Sequence, residues 1–134
     1  MKFMTLVKGS EKSGPPPKEL MDAIAKIAEE AVKSGLIVES GGLAPTALGA
    51  RVRVSGGKVT VIDGPFAEAK EVIGGYAVFE AGSKAEAIEH AVSFMELHRK
   101  LWPGWEGETE IRQLFDADPG RACEDAVVAA ASHA

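Results

Sequence analysis

Residues Lys2–Lys8 alternate, and both sides of the alternation are apolar: Phe3, Thr5 and Val7 face one way, Met4 and Leu6 the other. A strand of this kind belongs in the middle of a sheet that is covered on both faces. This one feature limits the fold more than any other. A chain of 134 residues is about one domain. It can lay one layer of helices on a sheet, and the second face then needs another cover.

The rest of the chain supplies the layers. Pro15-Pro16-Pro17 leads into Lys18–Ser34, where Leu20, Ile24, Ile27, Ala28 and Ala31 form one apolar stripe. Gly35 follows where a left-handed cap is expected. Leu36–Gly42 is a short apolar piece, and Leu43–Leu48 is a connection. Ala50–Ser55 and Lys58–Asp63 alternate around Gly56-Gly57, a hairpin signal because primed turns need positive φ. In the simple register Val54 faces Val59, Val52 faces Val61 and Ala50 faces Asp63. Arg51, Arg53, Thr60 and Ile62 share the opposite face. Tyr76–Ala81 reads as a strand after Gly74-Gly75. Ser83-Lys84-Ala85-Glu86 is a capping box opening a second helix, with Ile88, Ala91, Val92 and Met95 as its inner stripe. Pro103-Gly104 ends it, and Glu108–Phe115 is the last strand.

Strands stand before and after each helix, which predicts an α+β fold, a ferredoxin-like plait of two helices on a four-stranded antiparallel sheet. The domain is expected over residues 1–116, with 117–134 an Ala-rich C-terminal tail. The bare sheet face predicts a homodimer, sheet against sheet.

Several function classes are excluded. The net charge of −5 makes a poor generic nucleic-acid binder. No apolar run approaches a membrane span, and Met1–Lys8 is too short and too charged for a signal peptide, so a cytoplasmic location is expected. Cys123 is the only cysteine, which rules out an internal disulfide and a multi-Cys zinc site. Neither Gly-x-Gly-x-x-Gly nor a Walker loop occurs, since Val52 stands where the latter needs its first Gly before Gly57-Lys58. A Ser-centred nucleophile elbow is likewise missing. No cofactor and no metal are expected.

Asp63 is the first candidate for chemistry. It ends a strand whose same-face neighbours, Val59 and Val61, are apolar, and a carboxylate there is costly to ionise. A raised carboxyl can act as general acid or base near neutrality. An Asp before Gly-Pro is also a common turn residue. Lys70-Glu71 could bind an anionic ligand, form a dimer salt bridge or simply be solvated. Phe66 and Tyr76 are core or interface residues, or ligand contacts, with the Tyr hydroxyl as a donor. His90 and His98 lie about 80° apart on the second helix and read as a solvated face, with Glu86 beside His90. Trp102 and Trp105 either plug the core or line an interface. His133 and Cys123 fall in the tail.

Asp63-Gly64-Pro65-Phe66-Ala67-Glu68, then Lys70-Glu71 and Gly74-Gly75-Tyr76, resembles the signature of the YCII-related, or DGPF-domain, family. The opening Met1-Lys2-Phe3-Met4, Gly42-Leu43-Ala44-Pro45 and Arg51-Val52-Arg53 extend the resemblance over residues 1–116. It implies a dimeric α/β barrel built from two ferredoxin-like plaits. It also implies an activity of lyase type, of whose site residues only Asp63 is carried over, as the catalytic residue. The residues themselves add the expectation of a cofactor-independent small-molecule enzyme of proton-transfer or elimination type, with Phe66, Lys70, Glu71 and Tyr76 as candidate contacts of a small organic ligand. The His that accompanies this Asp in one branch has no counterpart, because the first 80 residues contain none. The other implied role is a non-catalytic ligand-binding or regulatory dimer associated with extracytoplasmic-function sigma factors.

Overall fold

The computed structural model describes residues 1–115. The tail, Cys123 and His133 lie outside the described residues. Six strands and two helices follow in the order β1 (Lys2–Gly9), α1 (Lys18–Lys33), β2 (Ile37–Gly42), β3 (Ala50–Ser55), β4 (Lys58–Asp63), β5 (Val72–Glu80), α2 (Lys84–Leu101) and β6 (Gly107–Gln113). Short 3-10 turns at Glu11–Ser13 and Thr46–Leu48 punctuate the loops. Four strands form one sheet in the order β2-β5-β1-β6, and β3-β4 stand apart as a two-stranded arm. Every neighbouring pair is antiparallel. This is the ferredoxin-like α+β arrangement, with the arm inserted between its second and third strands. Neither helix is long and apolar enough to cross a membrane.

β1 takes the central place that its two apolar faces require. Its register sets Phe3 between Phe79 and Gln113, and Thr5 between Ala77 and Ile111. That face carries the helices. Phe3, Phe79, Ala81 and Ala87 are buried together, with Ile37 and Ile111 packed against them. The Phe3 and Phe79 rings stack at 6.2 Å, and Leu20 of α1 is fully buried. On the opposite face Met4 and Leu6 lie beside Val78 and Tyr76, all half-buried and with no helix over them.

Local signals set the element ends. Gly35 takes φ 79° after α1, and Gly56 and Gly57 take φ 58° and 75° in the arm's turn. The arm register is the one the alternation predicts. Ser83 Oγ accepts the Glu86 N–H at 3.2 Å, while the Glu86 carboxylate reaches back to the Gly82 N–H at 2.7 Å.

Three expectations need correction. β5 begins at Val72 rather than Tyr76, because the pairing with β1 slips at Val7/Lys8 and Gly74 is the extra residue. A glycine tolerates such a bulge inside a strand. The inner stripe of α2 is Ala87, Ala91 and His98, whereas Ile88 and Val92 are exposed. Small Ala side chains bring the helix close to the sheet, which turns the larger ones towards the flank beside β6.

The third correction concerns His98, which is 6% exposed and not on a solvated face. Its Nδ1–H donates to the Phe94 carbonyl at 3.1 Å, and its ring sits 4.9 Å from Phe94 and 5.0 Å from Trp105. Trp105 in turn stacks on Trp102 at 5.6 Å and lies over Gly9 and Gly107, a cross-strand pair whose missing side chains leave it a flat seat. The tryptophans therefore plug one end of the core.

Phe79 touches both the sheet and α2, through an edge contact with His90 at 5.8 Å. Phe79→Ala is expected to cost about 3–5 kcal/mol of stability, as for other buried aromatics, measured by urea unfolding.

Candidate functional site

Strand pairing gathers four loops at one end of the sheet. Gly9 at the end of β1 sits beside Val72 at the start of β5 and Gly107 at the start of β6, and Gly42 at the end of β2 sits beside Gly75. The loops that follow β1 and β2, and those that precede β5 and β6, therefore meet there.

The Asp63–Phe66 turn is built around Gly64. Its N–H donates to the Gly49 carbonyl at 2.9 Å, and a Cβ on it would overlap the Thr46 carbonyl oxygen. The Gly64–Pro65 peptide is cis. The next residue, Phe66, donates its N–H to Thr46 Oγ1 at 3.1 Å. Thr46 passes the link on, since its hydroxyl and its N–H both donate to the Glu11 carboxylate. One threonine and one glutamate thus tie the turn to the loop after β1. The Arg51 guanidinium lies 3.8 Å over the Phe66 ring and pairs with Glu68. The backbone N–H of Glu68 and the Arg51 guanidinium hold that carboxyl below its usual range.

Lys70 and Glu71 continue from this turn into an open cleft of about 400 Å³. Ser10, Ser13, Glu106, Gly104 and Gly107 complete its lining. Two hydroxyls, one ammonium and two carboxylates therefore face a space large enough for a small organic molecule. The sequence singled out Lys70 and Glu71 only. Ser10, Ser13 and Glu106 carry no motif, and strand pairing alone makes them neighbours.

The remaining candidates lie elsewhere. Tyr76 is on the open sheet face, its ring over Gly41, and its hydroxyl donates to Glu39 Oε1 at 3.0 Å. That bond holds the phenol above its usual pKa. Phe66 is under Arg51. Asp63 is exposed at the base of the arm, opposite Ala50. The apolar face expected beside it exists, but Val52, Val54, Val59 and Val61 are between 68% and 74% exposed. Among the described residues nothing encloses the carboxylate. The five sequence candidates form one paired set, Lys70 and Glu71, and three separate positions.

A charge ladder borders the open face. Lys8 Nζ lies 2.6 Å from Glu110, which also meets Arg112 at 3.1 Å. The Lys8 hydrogen bond lowers the Glu110 carboxyl pKa, and the same bond raises that of Lys8. Among the described residues no three His, Cys, Asp or Glu side chains come together to hold a metal ion.

An α+β plait with a cleft among its loops is a common scaffold for small-molecule binding. The model of the YCII-related domain matches residues 1–93, and the chain belongs to that family. A Rhizobium meliloti (strain 1021) protein, described as uncharacterized protein R00369, is 29% identical over 103 residues, covering 77% of this chain and 79% of its own length.

Two outcomes follow from this geometry. Gly64→Ala is expected to lose several kcal/mol of stability by urea unfolding, on the order of the larger single-residue effects, because backbone stands where the methyl would go. Thr46→Ala, which leaves that backbone in place, should cost about 1 kcal/mol. For Glu110, a depressed carboxyl contributes stability above its unfolded pKa and loses it as pH falls through the folded value. The melting temperature of Glu110→Gln should therefore lie below wild type at neutral pH and converge with it in acid, below the usual carboxylate range.

Proposed function

We propose that the chain works as a homodimer that binds a small polar organic molecule in the loop-end cleft. The observation behind this reading is the convergence of Ser10, Ser13, Lys70, Glu71 and Glu106 on one open space. Lys70 would meet an anionic group of the ligand, and the serines and carboxylates would meet hydroxyls or amines. The two plaits would close into an α/β barrel through their open sheet faces, where Met4, Leu6, Tyr76 and Val78 await a cover. A cytoplasmic regulatory role beside an extracytoplasmic-function sigma factor accords with such a binding dimer.

A second reading is enzymatic, with Asp63 as acid or base in a lyase or proton-transfer reaction that needs no cofactor. It is favoured by the position of Asp63 as the one ionisable side chain on the valine face of the arm. It needs a covered carboxylate, which the single chain does not supply.

A panel of small organic acids, lactones, phenols and aldehydes tests the binding reading by thermal shift, with light scattering on the same samples. The expected mass is twice 14.0 kDa. At least one compound should raise the wild-type melting temperature by several degrees, and Lys70→Ala should lose that response while staying folded. A panel without response, or an equal response from Lys70→Ala, overturns it. Asp63→Asn should bind as wild type does; turnover of the bound compound that Asp63→Asn abolishes would establish the enzymatic reading instead.

A further inference from the structure

Carrying the strand register one step past the ends of the strands gives the cleft an order. Gly9 of β1 pairs with Val72 of β5 on one side and with Gly107 of β6 on the other. One residue further out, Ser10 stands between Glu71 and Glu106, and all three line the cleft. Neighbouring strands lie about 4.8 Å apart, so the two glutamate backbones are about 10 Å from each other with the serine midway. Both carboxylates can therefore approach one group seated over Ser10. Ser10 Oγ accepts the Lys12 N–H at 3.2 Å and keeps a second lone pair for that group.

The lining carries opposite charges that do not neutralise each other. Among the described residues no ion pair includes Lys70, Glu71 or Glu106. Lys8, two residues before Ser10, is already bound to Glu110. The Lys70 ammonium and the Ser13 hydroxyl are thus open to an anion, and the two carboxylates to a cation.

We propose that the ligand of this cleft is a small zwitterion, an amino acid or another aminoalkyl acid. Its ammonium sits over Ser10 between Glu71 and Glu106, and its anionic group meets Lys70. The proposal rests on the cleft reading above and names the class of molecule that the cleft takes.

Charge selects this class. One ammonium against two carboxylates leaves the lining with an excess of negative charge, so a simple carboxylate is disfavoured. A simple amine satisfies the glutamates but brings a second cation beside Lys70 and leaves Lys70 unpaired. A zwitterion answers both demands. A metal ion needs several ligand atoms in contact, and no three His, Cys, Asp or Glu side chains come together among the described residues. An ammonium needs only acceptors around it.

Trp105 lies between Gly104 and Glu106, which both line the cleft, so intrinsic tryptophan fluorescence reports occupancy. The full chain is titrated with glycine, 4-aminobutanoate and 6-aminohexanoate, which differ in charge separation. Butanoate and butylamine, each lacking one charge, are titrated alongside. At least one of the amino acids should bind about fivefold more tightly than both, the gain that one exposed ion pair allows. Lys70→Met should weaken that amino acid about fivefold and leave butylamine no weaker. Glu106→Gln should weaken the amino acid and butylamine and leave butanoate no weaker. Both positions are exposed, and circular dichroism checks that the variants fold. Three results overturn the proposal: no binding by any of the amino acids, butanoate binding as tightly as the best of them, or an unchanged affinity in Glu106→Gln. In those cases a compound from the acid, lactone, phenol and aldehyde panel that responds through Lys70 leaves the cleft reading standing. Absence of that response as well overturns both.

Discussion

The whole structure depends on β1 being apolar on both sides. Phe3 and Thr5 are nearly inaccessible under the helices, while Met4 and Leu6 on the other face remain only half-buried. An edge strand could not carry that pattern, so β1 lies between β5 and β6, and the order β2-β5-β1-β6 follows with the two helices on one side. The described residues have two helices, and both lie on one of the two faces. The imbalance is built into the first eight residues, and the tight approach of α2 through Ala87 and Ala91 adds to it, since it spends no bulk on the far side of the sheet.

The same antiparallel topology explains where chemistry can occur. Four loops distant in sequence reach one end because β1 and β2 stop there and β5 and β6 start there. Three devices fix them. Trp105 sits on Gly9 and Gly107, and closes the core under the cleft. Thr46 and Glu11 tie the turn at Gly64 to the loop after β1. Arg51 locks Phe66 from above and Glu68 from the side. Two residues of the motif Asp63-Gly64-Pro65-Phe66 make contacts that shape the turn. Gly64 is needed for lack of space, and Phe66 is a platform for a guanidinium.

Legibility in the sequence followed the range of the interaction. The arm register, the Gly35 cap and the Ser83 cap were readable because a few adjacent residues determine them. The α2 stripe was misplaced by one position because Ile88 and Val92 look like core residues in isolation, whereas closeness to the sheet selects Ala87 and Ala91. His98 carries no sequence sign of burial, and only the aromatic stack of Phe94, Trp105 and Trp102 explains it. The cleft was legible only at Lys70 and Glu71. Ser10, Ser13 and Glu106 come from two other loops, and no local pattern says that a serine near residue 10 will face a glutamate near residue 106.

Asp63 shows how a correct local reading can lack its physical consequence within one chain. Its register opposite Ala50 and its row of valine neighbours are as the alternation requires. What makes a carboxylate reactive is loss of water, and valines remove water only when something lies on them. Here they stand two-thirds or more exposed. At the base of the other face Arg51 and Ile62 are half-buried, and Arg51 is held by its contact with Phe66. Among the described residues nothing lies on the valines, and no helix covers the sheet face that carries Met4 and Leu6.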